Sequence, residues 1–364
     1  MLILVVSDFH IGRGRYFKNG QLNIMEDFCE DERFHEFLNY YSSGKFYLKH
    51  IHLVLNGDIL NLLHVDIDGI FTHIIDEEIT IKAVRSVIAG HKNFFDALTM
   101  FLSRPNKKIS YIIGNHDAAM AFEGAQRVFR QEVGGAIDFL FSLTVDGVHI
   151  EHGQRFEAAN SVPTKNYFIS GPNGKKILNL PWASLFGILV IPKLKKERPY
   201  LDKIRPMAAY VKWCFFHDFP FFYKMVKKIL WYVVKTKSSY YTRTNRNFKT
   251  TVKLLKQITL YPRYGRFAKR ILSKRKDVHT VIMGHTHIAE WRKYPEGKYY
   301  FNSGSWNVIP SVDVAQHEDV LKLTYILVDI HSKTGTLREA NMNTWYGKWR
   351  PFKEEVSSTI QKKY

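Results

Sequence analysis

The sequence predicts a layered α/β domain interrupted by a large, basic, helical insertion. Three observations predict it. Short apolar, β-rich runs alternate with helical patterns in the N-terminal part of the chain. Similar runs return after about residue 278. Between them, Arg155 to Val278 has no alternating strand pattern and carries 28 Lys+Arg against 5 Asp+Glu, or +23, while the rest carries 25 against 29, or −4. The expected division is a core of residues 1–155 and 278–364 around an insertion of residues 156–277.

Each element has a local reason. Leu2 to Ser7, His52 to Leu55 and Ile109 to Ile113 are short β-rich runs. Ile74 to Leu102 has helical patterning and stops before Pro105. Phe141 to Glu151 reads as a hairpin with Asp146-Gly147 at its turn. Within the insertion, Pro220 suits a first helical position, and Phe221 to Lys235 follows as a helix. Val278 to Met283, Lys298 to Asn302 and Leu323 to Asp329 are later strands, and Lys333-Thr334-Gly335 is a turn signal. No internal repeat or low-complexity tract occurs.

Composition bounds the class. The chain has 364 residues, 45% hydrophobic, enough for a substantial core in one large domain or two ordinary ones. Two distant cysteines, Cys29 and Cys214, exclude a disulfide framework and suit a reducing compartment. The apolar start Met1 to Val6 is too short for a signal peptide, and Asp8 follows at once. The longest near-apolar run, Trp182 to Pro192, is too short to span a membrane. The expected location is the cytoplasm, with peripheral attachment to the inner face of the cell membrane as an option. A net charge of +19 calls for an acidic partner: nucleic acid, anionic lipid or a phosphate-bearing substrate.

Five polar clusters directly follow β-rich runs: Asp8-Phe9-His10, Gly57-Asp58, Gly114-Asn115-His116-Asp117, His152-Gly153 and Gly284-His285-Thr286-His287. In layered α/β folds, residues just past strand ends converge on one edge. Alternation sends Asp8 and His10 the same way, and likewise His285 and His287. Carboxylate, imidazole and amide oxygen, without thiolate, suit two divalent ions such as Mn, Fe, Zn or Mg better than Ca. A central Asp can bridge two ions about 3.5–4 Å apart, which together activate a water and clamp a phosphoryl group. A lone histidine is more often structural, and His35, His50, His64, His91 and His317 are read that way. A single Gly-Asp or Asp-x-His carries no weight. Five clusters in order at strand ends do.

This set of clusters resembles the calcineurin-like metallophosphoesterase superfamily, over roughly residues 1–155 and 278–330. The resemblance implies a four-layer αββα sandwich with a dinuclear metal site on one edge. It implies that Asp8, His10 and His287 hold the first ion, that Asp58 bridges, and that Asn115, His152 and His285 hold the second. Manganese heads the expected metals, with iron, zinc or magnesium as alternatives. A metal-bridging hydroxide would attack phosphorus. His116 would assist the leaving group, and Asp117 would orient His116. Asn302, Ser303 and Gly304 would close the site structurally. Gln154 departs from the acidic residue often found after His-Gly.

The insertion bears on the substrate. Long insertions into compact domains are usually functional. Lys224, Lys227, Lys228 and Lys235 share one face of the helix, and Phe221, Phe222, Met225, Val226, Ile229, Leu230, Tyr232, Val233 and Val234 fill the rest. This pattern fits a helix lying in a membrane interface, with Trp213, Tyr223, Trp231 and Tyr232 as interfacial aromatics. It equally fits a docked cap helix whose lysines reach to solvent, or a dimer contact. Tyr240 to Lys276 interleaves aromatics with Arg243, Arg246, Lys249, Lys253, Arg263, Arg266, Lys269 and Arg270, as a phosphate-binding or merely solvated face. A basic aromatic cap over such a site resembles the UDP-2,3-diacylglucosamine pyrophosphohydrolases of lipid A synthesis, peripheral membrane enzymes. Here His116 stands where many of them have Arg, and the insertion is larger. The leading expectation is hydrolysis of a lipid-linked phosphodiester or pyrophosphate at an anionic membrane surface. The runner-up is a nuclease or nucleotide phosphodiesterase acting on nucleic acid or nucleotides. A non-catalytic adaptor comes third, because every expected ligand is present.

Overall fold

The computed structural model describes residues 1–17, 19–199, 201, 204, 207–238, 263–308, 322–331, 334–347 and 352–357. Its centre is a mixed seven-stranded sheet. The strands in chain order are β1 (Leu2–Val6), β2 (Ile51–Asn56), β3 (Lys107–Ile112), β4 (Ile137–Leu140), β12 (Thr324–Ile330), β13 (Leu337–Trp345) and β14 (Phe352–Ser357), laid out as β14-β13-β12-β1-β2-β3-β4. The β1 to β4 pairs are parallel, and β12 runs antiparallel to β1. A second sheet holds β5 (Ser142–Val145), β6 (Val148–Glu151), β9 (Thr280–Met283), β10 (Glu290–Tyr294) and β11 (Lys298–Asn302), in the order β10-β11-β9-β6-β5.

Side-chain alternation along β1 shows how the layers form. Ile3 and Val5 face Ile150, Ile282 and Phe301 of the second sheet, in a core between the sheets. Leu2, Leu4 and Val6 face the opposite way, into the aromatic-rich helical layer. That layer contains α1 (Asp31–Ser42), α2 (Glu77–Gly90), α3 (Lys92–Leu102) and α4 (Glu123–Val133). On the far face of the second sheet, α9 (Tyr264–Lys274) buries Tyr264, Ala268 and Leu272 against Val281, Met283 and Tyr300. The result is the expected αββα sandwich. The helix α9 supplies its fourth layer from within the stretch expected to be insertion.

The sequence reading differs from the structure in three places. Ile74 to Leu102 is two helices, broken at His91, whose N–H still donates to Val87 O at 3.0 Å. The insertion is not free of strands: β7 (Phe168–Ser170) and β8 (Lys176–Leu178) form a small hairpin over Gly171 to Gly174. Three residues per strand are too few for alternation to register. Pro220 is the second residue of α8 (Phe219–Ser238), which contains the expected Phe221 to Lys235 helix.

The cap also includes α5 (Trp182–Leu189), α6 (Ile191–Lys195) and α7 (Met207–His217). Its buried side chains, among them Leu185, Ile188, Leu194, Phe221, Met225 and Tyr232, are continuous with the helical-layer core. Tyr232 donates to the Trp182 carbonyl at 2.8 Å, joining α8 to α5. Arg243, Arg246, Lys249, Lys253 and His317 lie outside the described residues. Among the described residues, no helix is long and apolar enough to cross a membrane.

Candidate metal centre

The C-terminal ends of β1, β2, β3, β6 and β9 meet at one edge of the sandwich and carry the five polar clusters there. Phe9 shows how the first cluster is aimed. Its ring is fully buried, stacked on Trp306 at 4.9 Å and Phe28 at 5.1 Å, in the helical-layer core. Burying such a ring contributes roughly 1.5–3 kcal/mol. With Phe9 anchored inward, Asp8 and His10 turn to the edge. Both have positive φ, 56° and 52°, as do Asp58 (51°), His285 (72°) and His287 (63°). Non-glycine residues rarely adopt this conformation. Around Asp8 it is held by neighbours: the Asp8 carbonyl accepts from Ser305 Oγ at 2.7 Å, and Asp8 N donates to Gly57 O at 3.1 Å. Gly57 is required by close approach as well as by its φ of 77°, since a Cβ there would lie 2.4 Å from the His152 ring.

The expected ligands come together. Asp8, His10 and His287 form one group of convergent donor atoms, and Asp58, His152 and His285 form another. His287 Nε2 is 3.5 Å from Asp8 Oδ1, and His10 Nε2 is 3.0 Å from His287 Nε2. His152 Nδ1 donates to Asn56 O at 2.8 Å, which leaves Nε2 to face Asp58. That Nε2 lies 3.1 Å from Asp58 Oδ2 without hydrogen-bond alignment. Asn115 Oδ1 and His285 Nδ1 are also buried without a hydrogen-bond partner. Buried polar atoms without hydrogen-bond partners are costly in a folded protein. A cation satisfies all of them, so the residues present fit a pair of divalent ions. His116 also groups with His10 and Asp58, and its ring meets that of His10 edge-on at 4.5 Å.

The electrostatics point the same way. Burial opposes charge on His152, but Asp58 and Asp8 more than offset it and lift its pKa to about 10. Burial pushes the Asp8 carboxyl up to about 6. Burial, with His116 beside it, drives His10 down to about 3. Burial would also raise Asp58, yet His152 and His116 hold it well below the usual carboxylate range. This field favours positive charge between the two carboxylates.

The role expected for Asp117 is not met. Its carboxylate accepts from Gly114 N (2.6 Å), Ile59 N (2.9 Å) and Tyr111 OH (2.5 Å), so it braces the loop after β3 and does not touch His116. The His116 ring is instead held by Asn61, whose Oδ1 is 2.9 Å from Nδ1. Asn61 Nδ2 donates in turn to His64 Nδ1 at 3.1 Å, so His64 belongs to the surroundings of the site. Asn302 and Ser303 are structural, as expected: Asn302 Nδ2 donates to Gly284 O at 2.7 Å, and Ser303 Oγ to Met283 O at 3.2 Å.

The sequence reading also missed Glu157, whose Oε2 is 2.6 Å from His285 Nε2, and Asn160, whose Nδ2 donates to that Glu157 oxygen at 2.8 Å. No motif marks either residue. Beside Asn115, a small open cleft between core and cap is lined by Phe141, Gln154, Asn160, Tyr167 and Leu180. Gln154 Nε2 donates to Ile113 O at 3.1 Å on that wall.

A family model described as calcineurin-like phosphoesterase matches residues 1–289. No curated protein matches the chain. Among solved structures, a single mutant of Vps29 from Entamoeba histolytica is 12% identical, with 98% of this chain and 99% of that chain covered and a TM-score of 0.32. A predicted phosphoesterase from Streptococcus pneumoniae is 11% identical, with coverage of 98% and 97% and a TM-score of 0.30. A dimetal phosphatase from Danio rerio is 8% identical, with coverage of 94% and 95% and a TM-score of 0.37.

Proposed function

The chain belongs to the calcineurin-like phosphoesterase family, and from that premise we propose that it is a dinuclear-metal phosphoesterase that cleaves a phosphodiester or pyrophosphate. The observation that carries this reading is the set of buried polar atoms without hydrogen-bond partners, Asn115 Oδ1, His152 Nε2 and His285 Nδ1, two of them on histidines grouped with Asp58. In the proposal Asp8, His10 and His287 would hold one ion, Asn115, His152 and His285 would hold the other, and Asp58 would be available to both. When bound, such ions lower the pKa of a water and neutralise charge on a phosphoryl group. Manganese is the first choice, with iron, zinc or magnesium as alternatives.

His116 stands beside the ligands and acts on the leaving-group oxygen. Its backbone N–H donates to Asp58 Oδ1 at 2.7 Å, so the residue is fixed to the shared carboxylate at its backbone and to Asn61 at its ring. A carboxamide oxygen can only accept, so Nδ1 carries a proton and Nε2 is the atom left to face substrate. Burial lowers the imidazole pKa, and an incoming phosphate anion works in the opposite direction, favouring the protonated ring needed to assist departure.

We place the substrate at an anionic membrane surface, as a lipid-linked phosphate ester. The outer side of the cap supports this. Phe221, Met225 and Tyr232 dock α8 onto the protein, while Phe219, Tyr223, Leu230 and Val234 remain exposed on α8, the last at 70%. Trp213 and Phe216 on α7 extend the apolar surface, and Lys224 and Lys227 are exposed beside it. Contiguous exposed apolar surface of this kind marks an interaction site, and its lysines suit anionic lipid. One observation favours a nucleic-acid reading: Arg263, just before α9, and Arg266, Lys269 and Arg270 on it are all exposed.

The test has two parts. Mn²⁺-loaded protein should hydrolyse bis-p-nitrophenyl phosphate, and Asp58→Ala should not; an inactive wild type, or an active variant, refutes the catalytic reading. Full-length protein should float with anionic vesicles at low salt. Failure to float, together with salt-sensitive cleavage of DNA or RNA, transfers the substrate assignment to nucleic acid.

A further inference from the structure

Glu157 stands just outside the motifs, in the first turn of chain after His152-Gly153 and at the entrance to the cap. Its Oε2 is 2.6 Å from His285 Nε2, and the two side chains are 27% and 8% exposed. A carboxylate can only accept, so His285 Nε2–H donates and the proton is fixed on that nitrogen. The other nitrogen, Nδ1, then presents a lone pair, and it is buried with no hydrogen-bond partner. Asn160 steadies the carboxylate by donating to the same oxygen at 2.8 Å.

The loop that carries Glu157 is also fastened to the cap. Glu157 N donates to Gln154 O, and Asn160 N to Glu157 O, both at 3.1 Å. Ala183 N, in α5, donates to Ala159 O at 3.0 Å. One four-residue stretch therefore touches a candidate metal-holding histidine at one end and a cap helix at the other.

We propose that Glu157 is the positioning residue of His285. Its carboxylate selects the tautomer and ring orientation that offer Nδ1 to the second ion, and its loop ties that ion's occupancy to the seating of the cap. The inference rests on the proposed dinuclear site. Partners of this kind orient metal-bound histidines, and their removal weakens metal affinity by about 10- to 100-fold.

The experiment is a Mn²⁺ titration of the full-length, metal-stripped protein by calorimetry, for wild type, Glu157→Gln, His285→Ala and the double variant. Glutamine keeps the shape but accepts weakly and can turn an N–H toward His285. The expected result is two equivalents in wild type, with one of the two weakened about 10- to 100-fold in Glu157→Gln and the other unchanged. In the His285→Ala background, Glu157→Gln should add nothing, because its effect passes through that ring. Asn160→Ala, which leaves the carboxylate in place, should weaken the same equivalent by a smaller factor. Wild-type affinities at both equivalents in Glu157→Gln, equal weakening of both, or additive losses in the double variant would each overturn the positioning role. A wild type that does not take up two equivalents would overturn the dinuclear reading itself.

Discussion

Raising the pH should remove one identifiable contribution to stability, and replacing His91 should abolish that sensitivity. His91 is buried at the break between α2 and α3, with Nδ1 2.9 Å from Asp31 Oδ1 and Nε2 3.2 Å from Glu26 Oε2. Glu26 also accepts from Gly12 N at 2.9 Å and Gly14 N at 2.6 Å, in the loop that leaves His10. Burial disfavours the imidazolium, but Asp31 and Glu26 outweigh burial and raise the pKa from 6.5 to about 9. The folded value lies above the unfolded one. The contribution is therefore complete below about pH 6.5 and is lost as the pH rises through about 9. A tenfold change in proton affinity is worth about 1.4 kcal/mol, so the full contribution is about 3 kcal/mol. The assay is urea unfolding of metal-free wild type and His91→Gln at about pH 6 and about pH 9.5. Wild type should lose about 3 kcal/mol more than the variant across that interval, with other titrating groups cancelling in the difference. Parallel pH profiles would refute the assignment of a charged His91.

Further predictions concern the site and the cap. Asn61→Ala leaves buried nitrogens of His116 and His64 without partners, at roughly 1–3 kcal/mol each; kcat should fall about tenfold or more with both metal equivalents retained, and an unchanged kcat would count against Asn61 as the holder of His116. His116→Ala should lower turnover by about 10²–10⁴-fold while elemental analysis still finds two metals; loss of metal would make His116 a ligand. Leu230→Glu with Val234→Glu, both on the exposed side of α8, should leave thermal stability unchanged and abolish flotation with anionic vesicles. Unchanged flotation would remove the cap from membrane contact.

The convergence of the candidate ligands is legible in the sequence because each cluster directly follows a strand, where a motif and its position in space coincide. Asp8, His10, Asp58, Asn115, His152, His285 and His287 all reach the same edge for that reason. Asp117 misled because neighbours in sequence need not touch: the turn after Gly114 folds its carboxylate back onto its own loop. Asn61 and Glu157 meet their histidines across 55 and 128 residues, and such pairings have no local signature. Helical periodicity runs through His91 almost unbroken, which hid the break between α2 and α3. The docked side of α8 depends on contacts between Tyr232 and the distant α5 residues Trp182 and Phe186, which hydrophobic patterning alone does not specify.

The left-handed backbone at Asp8, His10, Asp58, His285 and His287 has an evolutionary consequence. An L-residue in that conformation costs roughly 1–2 kcal/mol relative to its usual state, and glycine escapes the penalty. A library selected only for heat resistance without metal should therefore accumulate glycine at these positions first. It would yield sturdier proteins whose polar edge has been erased, whereas selection with metal present should keep aspartate and histidine there. Which residues survive depends on whether the ions are present when fitness is measured.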